Sequence, residues 1–271
     1  MTSNSQFKVA VVQMVSTPKV EENLAAAAEL VARAAEQGAK LVALPEYFCI
    51  FGMRDGDKVA AREKDGTGPI QEFLSETAKR HGVWLVGGSV PLECADPGKV
   101  RNSCLVYGSD GRRVARYDKI HLFGLELGAE RFDEARTIEP GTEPCAIDSP
   151  FGRIALSVCY DVRFPELYRA LAPMDIILVP SAFTATTGRA HWETLLRARA
   201  IENLAWVLAP AQGGKHLNGR QTHGHSMVVD PWGKVVAERA TDPGVVVADI
   251  DPMFQATMRK SLPVLTHRVL Q

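Results

Sequence analysis

Apolar positions in the first part of the chain form short continuous runs separated by a helical stripe. Residues 7–14 and 40–44 are apolar runs of strand length, and residues 23–36 between them carry apolar side chains at helical spacing. The links between these segments are short. This order predicts a βαβ unit in which the two strands pair in parallel and the crossover is right-handed.

The same order continues once more and then changes. Residues 67–81 predict a helix with Pro69 in its first turn, and residues 83–90 predict a strand. Residues 100–107 and 112–119 are two further strand-like runs, and the Ser-Asp-Gly sequence between them favours a tight turn. We therefore expect an antiparallel hairpin at this point.

Residues 121–141 show no clear periodicity of apolar positions. A long unpatterned loop inside a compact domain is more often functional than idle. We predict that this segment forms a wall of the functional site.

A cysteine lies where the pattern predicts a change from strand to helix. Residues 153–158 alternate bulky apolar side chains with small ones, which predicts a strand buried on both faces. The strand ends at Cys159, Pro165 suits the first turn of a helix, and Glu166 places a negative charge at the positive end of its dipole. Such a corner exposes the side chain at the edge of a sheet, beside free backbone N–H groups. An inert core thiol fits the same pattern, so a nucleophile requires partners.

The rest of the chain adds strands and one long helix. Residues 191–204 predict the helix, with apolar side chains at Trp192, Leu195, Leu196 and Ile201. Strands are predicted at residues 175–179, 205–209, 224–229, 234–238 and 244–250, and a short last helix at Pro252. Many strands with two-sided burial and about four main helices predict an α/β fold. We expect one domain over residues 1–271, with sheets packed on each other and helices outside.

Composition and charge restrict the kind of partner. The 271 residues are 46% hydrophobic and 23% charged, which is typical of a globular protein that buries a large core. Lys and Arg number 31 against 32 for Asp and Glu, which gives a net charge of −1. The composition therefore shows no excess of positive charge that would favour binding to nucleic acid or an anionic membrane. The predicted partner is a small molecule.

The cysteines and the first residues bear on the compartment. Five cysteines are an odd number, and no two form a Cys-x-x-Cys pair that would suggest a zinc or redox site. The first residues lack the basic and apolar blocks of a signal peptide, and no apolar run reaches membrane-spanning length. We expect a cytoplasmic protein that does not associate with a membrane.

Three residues of reactive type follow predicted strands: Glu46, Lys119 and Cys159. Taken alone, Glu46 also fits an exposed loop carboxylate and Lys119 a solvated lysine. Together they match what a thiol nucleophile needs, namely a base that removes its proton and a cation that holds the developing charge.

The segments around these residues resemble the nitrilase superfamily, also called carbon–nitrogen hydrolases. The matching motifs are Leu44-Pro45-Glu46, Lys119-Ile-His-Leu-Phe123 and Val158-Cys-Tyr-Asp-Val-Arg-Phe-Pro-Glu166, and the likeness covers nearly the whole chain. The resemblance implies a four-layer α-β-β-α sandwich, a Glu46-Lys119-Cys159 triad and no cofactor. It also implies a second glutamate after the lysine motif, for which Glu134 fits better than Glu126 or Glu130.

The chemistry expected of this set is amide hydrolysis through a thioester. Cys159, its pKa lowered by Lys119 and by the N-terminus of the next helix, attacks the amide carbonyl. Lys119 and the backbone N–H of Tyr160 hold the oxyanion. Glu46 takes the thiol proton, passes it to the leaving group and then activates water, while Glu134 fixes the lysine.

Segments 180–192, 196–202, 224–233 and 262–268 are similar to the branch of the superfamily that contains deaminated glutathione amidase and omega-amidase. Some segments are more similar to deaminated glutathione amidase and others to omega-amidase. Hydrolysis of an N-carbamoyl amino acid is a further alternative. The first two substrates are amides that carry a carboxylate, for which a guanidinium is a natural clamp. The resemblance also implies a homodimer or higher homo-oligomer, with the helices after Cys159 and from residue 191 facing a partner.

The residues expected to bind such a substrate follow from this likeness. Arg163 is the first candidate for the clamp, although an ordinary structural ion pair fits it too. The acyl pocket is expected at Phe183, Thr184 and Thr187, and positive charge for a second carboxylate at Arg131, Arg189, Lys215 and His216.

Two competing hypotheses remain. His216, His223 and His225 are potential zinc ligands, but their spacing matches no helical zinc pair, so we predict no metal site. A catalytically silent binding protein is the second alternative, and the presence of all of Glu46, Lys119 and Cys159 argues against it.

Overall fold

Two β-sheets form the frame of the molecule. The computed structural model describes residues 5–128 and 130–270. The first sheet has the order β17-β1-β2-β3-β5-β4, with β6 added beside β5. With strands numbered along the chain, its members are β1 (Phe7–Gln13), β2 (Ala39–Ala43), β3 (Trp84–Val86), β4 (Val90–Glu93), β5 (Val100–Tyr107), β6 (Arg113–Asp118) and β17 (Gly244–Ile250).

The second sheet has the order β16-β15-β12-β11-β10-β9. Its strands are β9 (Cys145–Ser149), β10 (Gly152–Leu156), β11 (Ile176–Leu178), β12 (Trp206–Ala209), β15 (Ser226–Val229) and β16 (Val235–Arg239). Two hairpins lie outside the sheets. They are formed by β7 (Gly124–Leu127) with β8 (Glu130–Asp133), and by β13 (Gly213–Lys215) with β14 (Gln221–His223).

The α-helices are α1 (Val20–Glu36), α2 (Asp57–Ala60), α3 (Pro69–His81), α4 (Pro165–Leu171), α5 (Ala185–Asn203) and α6 (Pro252–Ser261). Short 3₁₀ helices span Glu134–Arg136 and Cys159–Arg163. As predicted, α4 begins at a proline, whose fixed φ suits the first turn. Within the described residues, no helix is long and apolar enough to cross a membrane.

Strand β1 separates two hydrophobic cores. Val9 and Val11 belong to the core between the sheets, whereas Ala10 and Val12 belong to the core under α1 and α3. All four are fully buried, because successive side chains of a strand point to opposite faces. Since α5 packs on the second sheet with α4 beside it, the layers run helix, sheet, sheet, helix. The predicted four-layer α-β-β-α sandwich is confirmed.

The parallel pairing and the hairpin are also confirmed. β1, β2 and β3 pair in parallel, and β5 pairs antiparallel with β6. The parallel arrangement brings the carboxyl ends of these strands to one edge of the sheet, and Glu46 follows β2 at that edge.

The single strand predicted at residues 83–90 is wrong, because the chain forms β3 and β4 with a break between them. At the break, Gly88 has a φ of +46°, and a Cβ there would lie 2.0 Å from the carbonyl oxygen of Pro45. The backbone therefore leaves the ladder where it passes the segment before Glu46. A glycine permits this close approach.

Residues 121–141, predicted to lack regular structure, contain the β7–β8 hairpin and a 3₁₀ turn. Both strands are largely exposed, so their side chains do not follow the apolar alternation that marks a half-buried strand. The strands β9, β13 and β14 were not predicted either; they are short, and they are not fully buried.

Helix α5 begins at Ala185, six residues before the predicted start at residue 191. Thr184 caps it, because its side-chain oxygen accepts a hydrogen bond from Thr187 N at 3.2 Å. The first turn contains Thr186, Thr187 and Gly188, which have low helix propensity, so the sequence does not indicate a helix there. The strand predicted at 153–158 likewise ends early, at Leu156.

Candidate active site

Glu46, Glu134 and Cys159 line one cavity of about 640 Å³. Its walls come from residues 46–58, the segment 123–134 with the β7–β8 hairpin, the start of α5, and the turn of the β13–β14 hairpin. The volume falls in the range of about 300–1,000 Å³ that is usual for small-molecule sites. The unpatterned segment of the sequence therefore does contribute a wall.

Cys159 lies at a strained turn at the start of the 3₁₀ helix. Its φ is +51°, its backbone N–H donates to Pro180 O at 2.9 Å, and its side chain is buried. A non-glycine residue in the left-handed region costs about 1–2 kcal/mol. Tyr160 follows in the first turn, where backbone N–H groups have no acceptor within the helix. The backbone N–H of Ala182 also acts on the sulfur and lowers its pKa against the larger effect of burial.

Glu46 is held by its backbone and by one carboxylate oxygen. Asn102 Nδ2 and Lys119 Nζ both donate to Oε1 at 2.9 Å, and Gln212 Nε2 donates to the backbone oxygen at 3.1 Å. The carboxylate is buried. The Cys159 thiol also donates to it, an interaction that acts to lower the pKa of Glu46. Glu46 is thus in reach of the sulfur.

Lys119 is fully buried between two carboxylates. Its Nζ lies 2.9 Å from Glu46 Oε1, and 3.0 Å and 2.7 Å from the two oxygens of Glu134. A buried ammonium requires such compensation. Gly141 N donates to Lys119 O at 2.8 Å, which fixes the end of the strand.

Glu134 is the one of the three candidate glutamates that contacts Lys119. It also accepts hydrogen bonds from Tyr47 Oη at 2.9 Å and Phe123 N at 2.7 Å. Glu126 instead pairs with Arg131 at the surface. Glu130 accepts from Thr186 on the facing wall, and its Oε2 is buried with no hydrogen-bond partner among the described residues.

The two acids beside Lys119 have pKa values that move apart. Burial raises the pKa of Glu46. Burial acts on Glu134 in the same direction, but the Lys119 charge and its hydrogen bonds lower the pKa of Glu134 below its ordinary value. Burial alone would lower the pKa of Lys119, yet the charges of Glu134 and Glu46 raise it. Lys119 therefore stays charged, and Glu46 is the group best placed to exchange a proton.

The expectation of a lowered thiol pKa is wrong. Burial, reinforced by the charge of Glu46, raises the pKa of Cys159 well above its ordinary value, although Lys119 opposes this. The Lys119 charge is already balanced by two carboxylates, and the next element is a 3₁₀ turn with a weaker dipole than a long helix. The sulfur is therefore a thiol at rest and needs a base when it attacks.

Asp161 connects the cysteine turn to the strand that carries the lysine. Its buried carboxylate accepts from Val158 N at 2.8 Å and Tyr117 Oη at 2.7 Å. It also contacts His121 through the backbone N at 3.0 Å and Nδ1 at 2.7 Å. Tyr117 and His121 flank Lys119, so one carboxylate sets the distance between the thiol and the ammonium.

The predicted acyl-pocket residues divide into two groups. Thr184 lines the cavity, as expected. Contrary to the expectation, Phe183 lies in the hydrophobic core and Thr187 bonds Thr184 Oγ1 at 2.9 Å, both outside the lining. Thr186, which was not predicted, lines the cavity in their place and donates to Glu130 at 2.8 Å.

Arg163 also lies outside the cavity lining. Its Nη1 lies 3.2 Å from His191 Nδ1, and its guanidinium covers the rings of Tyr160 and Phe183 at 5.5 Å and 5.3 Å. The 3₁₀ turn after Cys159 directs this side chain toward α5. The structure therefore does not bring the predicted carboxylate clamp to the cavity.

One of the four cations predicted for a second carboxylate reaches the cavity, and it is Arg189. Arg131 pairs with Glu126, and Lys215 is exposed elsewhere. His216 is buried between Ser16 O and Thr222 Oγ1, and burial lowers its pKa. It supplies no positive charge near neutral pH.

His223 and His225, the other two histidines considered as zinc ligands, also contact other side chains. His223 and His225 stack at 4.3 Å between ring centres, and His225 Nδ1 contacts Glu238. Among residues 5–128 and 130–270, no group of three His, Cys, Asp or Glu side chains is arranged to hold a metal ion.

Several contacts of the site were missed from the sequence. Asn102 is a buried polar residue inside the apolar run of β5, and that signal was available. Tyr47 and Lys58 carry no local pattern, because Tyr47 lies in an irregular segment after β2 and α2, which carries Lys58, is only four residues long.

Comparisons with known proteins identify the family of this chain. The carbon-nitrogen hydrolase family model matches residues 8–259. The chain is 41% identical over 269 residues to a deaminated glutathione amidase of Synechocystis sp., covering 97% of this chain and 98% of the relative. It is 37% identical to omega-amidase NIT2-B of Xenopus laevis, covering 97% and 95%. The structure of Saccharomyces cerevisiae Nit3 superposes with a TM-score of 0.87 at 31% identity, covering 96% and 95%.

Proposed function

This chain belongs to the carbon–nitrogen hydrolase family and is an amidase that acts on non-peptide C–N bonds, and from this premise we propose its substrate and mechanism. The substrate is a small amide that carries a carboxylate. Deaminated glutathione, which yields 2-oxoglutarate and cysteinylglycine, is the first candidate. The placement of Lys119 between Glu46 and Glu134, which line the cavity together with Cys159, carries the mechanism.

In the first step, Cys159 Sγ attacks the amide carbonyl carbon. Glu46 Oε2 takes the thiol proton, since Oε1 is occupied by Asn102 and Lys119. The oxyanion is held by Lys119 and by the backbone N–H of Tyr160. Collapse of this intermediate breaks the C–N bond, and Glu46 returns the proton to the leaving nitrogen.

In the second step, water hydrolyses the thioester. Glu46, again a carboxylate, removes a proton from the water as its oxygen attacks the acyl carbon. The C–S bond breaks, the acid leaves, and the proton returns to the sulfur. Glu134 stays ionised and keeps the ammonium of Lys119 in position throughout.

The size of the cavity and two arginines in its lining support an extended anionic substrate. About 640 Å³ is more than an amide the size of glutamine fills, and it suits a tripeptide-sized molecule. Arg54 and Arg189 line the cavity, and within the described residues neither takes part in an ion pair. Exposed guanidinium groups at the rim are suited to a second carboxylate on the leaving group.

The direct test is a comparison of three substrates with the purified protein. Release of 2-oxoglutarate is measured from deaminated glutathione and from α-ketoglutaramate, and ammonia release from an N-carbamoyl amino acid. We expect the highest kcat/KM for deaminated glutathione. A higher value for α-ketoglutaramate would assign the omega-amidase reaction, and no hydrolysis of any amide would leave a silent binding protein.

We also propose a cytoplasmic homodimer. All five cysteines are unpaired, which suits a reducing compartment. Helices α4 and α5, expected to face a partner, lie beside each other outside the second sheet, and Ile201 on α5 is 44% exposed. Light scattering with size-exclusion chromatography measures the mass, and a monomer at micromolar concentration would contradict the dimer.

A further inference from the structure

Lys58 lines the cavity from the short helix α2. Its Nζ donates to Thr137 Oγ1 at 2.9 Å and lies 5.8 Å from the centre of the Tyr47 ring. Both of these neighbours are uncharged. In the part of the chain that the structure describes, Lys58 takes part in no ion pair.

The acids near Lys58 are already paired with other cations. Both oxygens of Glu134 bind Lys119, and Asp55 Oδ1 accepts from Arg220 at 2.9 Å. The charge of Lys58 is therefore not balanced by a neighbouring carboxylate. This distinguishes it from Lys119, which has two carboxylates.

The side chain of Lys58 is partly buried, which makes this imbalance costly. Burial lowers the pKa of Lys58 below its ordinary value, and the charge of Glu134 offsets only part of that effect. An ammonium withdrawn from water without an anionic partner is destabilised, and an incoming anion removes the penalty. Arg54 and Arg189 also lack such partners, but they are exposed and solvated, so an ion pair gains less there.

We propose that Lys58 binds a carboxylate that the substrate carries apart from its scissile amide, and that this contact sets the preference of the site for anionic amides. Thr137 engages one N–H of the ammonium and leaves two donors for the ligand. The inference deepens the proposed function and rests on it, because it takes the substrate to be a carboxylated amide. It also assigns to Lys58 the role that the sequence suggested for Arg163.

The test measures binding of glutarate, a dicarboxylate that contains no amide and is not turned over. Calorimetry compares the wild-type protein with Lys58→Met, Lys58→Gln and Lys58→Arg. The matched control is Lys64→Met, which removes an exposed lysine outside the cavity. Melting temperatures of all variants show whether the fold is kept. Lys58→Gln retains a hydrogen-bond donor for Thr137, so it separates loss of charge from loss of that contact.

We expect Lys58→Met and Lys58→Gln to weaken glutarate binding about tenfold to a hundredfold, as for the loss of one charge-assisted hydrogen bond. Lys58→Arg keeps most of the affinity, and Lys64→Met matches the wild type. Unchanged affinity in Lys58→Gln overturns the inference, as does an equal loss in Lys58→Arg or no wild-type binding of glutarate at millimolar concentration.

Turnover distinguishes this inference from the proposed function. If the wild-type protein binds glutarate through Lys58 but hydrolyses no amide, the result supports the carboxylate site and excludes the amidase mechanism. If the wild-type protein and Lys58→Gln hydrolyse α-ketoglutaramate equally well, the result supports the amidase mechanism and excludes the carboxylate site at Lys58.

Discussion

Lys119 Nζ lies 2.7 Å from Glu134 Oε2, in an ion pair between a fully buried lysine and a carboxylate that is 14% exposed, and this pair joins the end of a sheet strand to a 3₁₀ turn. The pair keeps the lysine charged and its ammonium fixed in position. It also leaves Glu46, the second acid on the same ammonium, as the group whose proton is exchangeable. The roles proposed for the two glutamates follow from this asymmetry.

Replacing Cys159 by Ala is expected to remove hydrolysis, by at least about a thousandfold in kcat, because no other nucleophile lies at the acyl carbon. The melting temperature stays close to that of the wild type, since alanine adopts the same φ and fills most of the same space. The measurement is 2-oxoglutarate release from the preferred amide. Cys145→Ala, at a half-buried cysteine of β9, is the control. Wild-type activity in Cys159→Ala would exclude the thioester mechanism.

The acid limb of the kcat/KM profile is expected above pH 4.5, the ordinary pKa of a glutamate, because burial raises the pKa of Glu46. As the pH falls through this raised pKa, Glu46 gains a proton and stops acting as a base, so activity falls. Glu46→Gln lowers kcat by about 10²–10⁴-fold and removes this limb. Rates from pH 4 to 8 test the point, with Glu126→Gln as a surface control. An unchanged limb in Glu46→Gln would assign it to another group.

The fold was more accessible from the sequence than the substrate contacts. Strands such as β1 and β10 are buried on both faces, so their apolar runs are continuous, and Pro165 marks the start of α4. The β7–β8 hairpin is exposed and has no such pattern. Thr186, Thr187 and Gly188 are weak helix formers by propensity, and the Thr184 cap and packing against β14 decide the start of α5.

The reactive residues were predictable because each follows a strand that the sequence indicates, although the strand before Lys119 is largely polar. The direction of a side chain after such a strand was not. Arg163 is four residues past Cys159, yet a 3₁₀ turn directs it away from the cavity. Lys58 has no periodic context, and the burial of Cys159 reverses the expected direction of its pKa. These outcomes depend on tertiary contacts that no local pattern encodes.

Asp161→Asn is expected to destabilise the protein by about 1–3 kcal/mol and to lower kcat. The amide keeps the shape of the carboxylate, but its NH₂ group is a donor. It would face a second donor, such as Tyr117 Oη or Val158 N, both of which now donate to Asp161. Urea unfolding measures the stability. Asp249→Asn, in an exposed ion pair with Lys8, is the control and costs about 0–1 kcal/mol. Equal losses in both variants would argue against a positioning role.

Gly188→Ala is expected to destabilise the protein by about 1–3 kcal/mol through overpacking. An added Cβ would lie 2.3 Å from Cβ of His223, so α5 and β14 must separate. Gly56→Ala is the matched control, since no atom lies within 4 Å of its added Cβ and its φ of −74° suits any residue. That change stabilises by up to about 1 kcal/mol. Thermal unfolding measures both variants. An unchanged stability in Gly188→Ala would show that α5 and β14 can move apart without cost.

Acidification is expected to destabilise the fold partly through His223. Burial, with a contribution from His225, lowers its pKa from 6.5 to about 4. The unfolded chain therefore binds a proton first as the pH falls from about 6.5 towards 4, and stability is lost across this window. The ring is only partly buried, so we expect about 1 kcal/mol. Urea unfolding at pH 7 and pH 5 should show a smaller loss in His223→Gln than in the wild type; equal losses would contradict this.

The order of strands in the first sheet has a consequence for synthesis of the protein. β1 pairs on one side with β2 and on the other with β17, so that Phe7 lies opposite Ile250. During synthesis β1 therefore keeps one edge open until β17, which is far later in the sequence, has left the ribosome. An uncovered apolar edge is a template for aggregation. The nascent chain must shield that edge, or have it shielded by a chaperone, until β17 arrives.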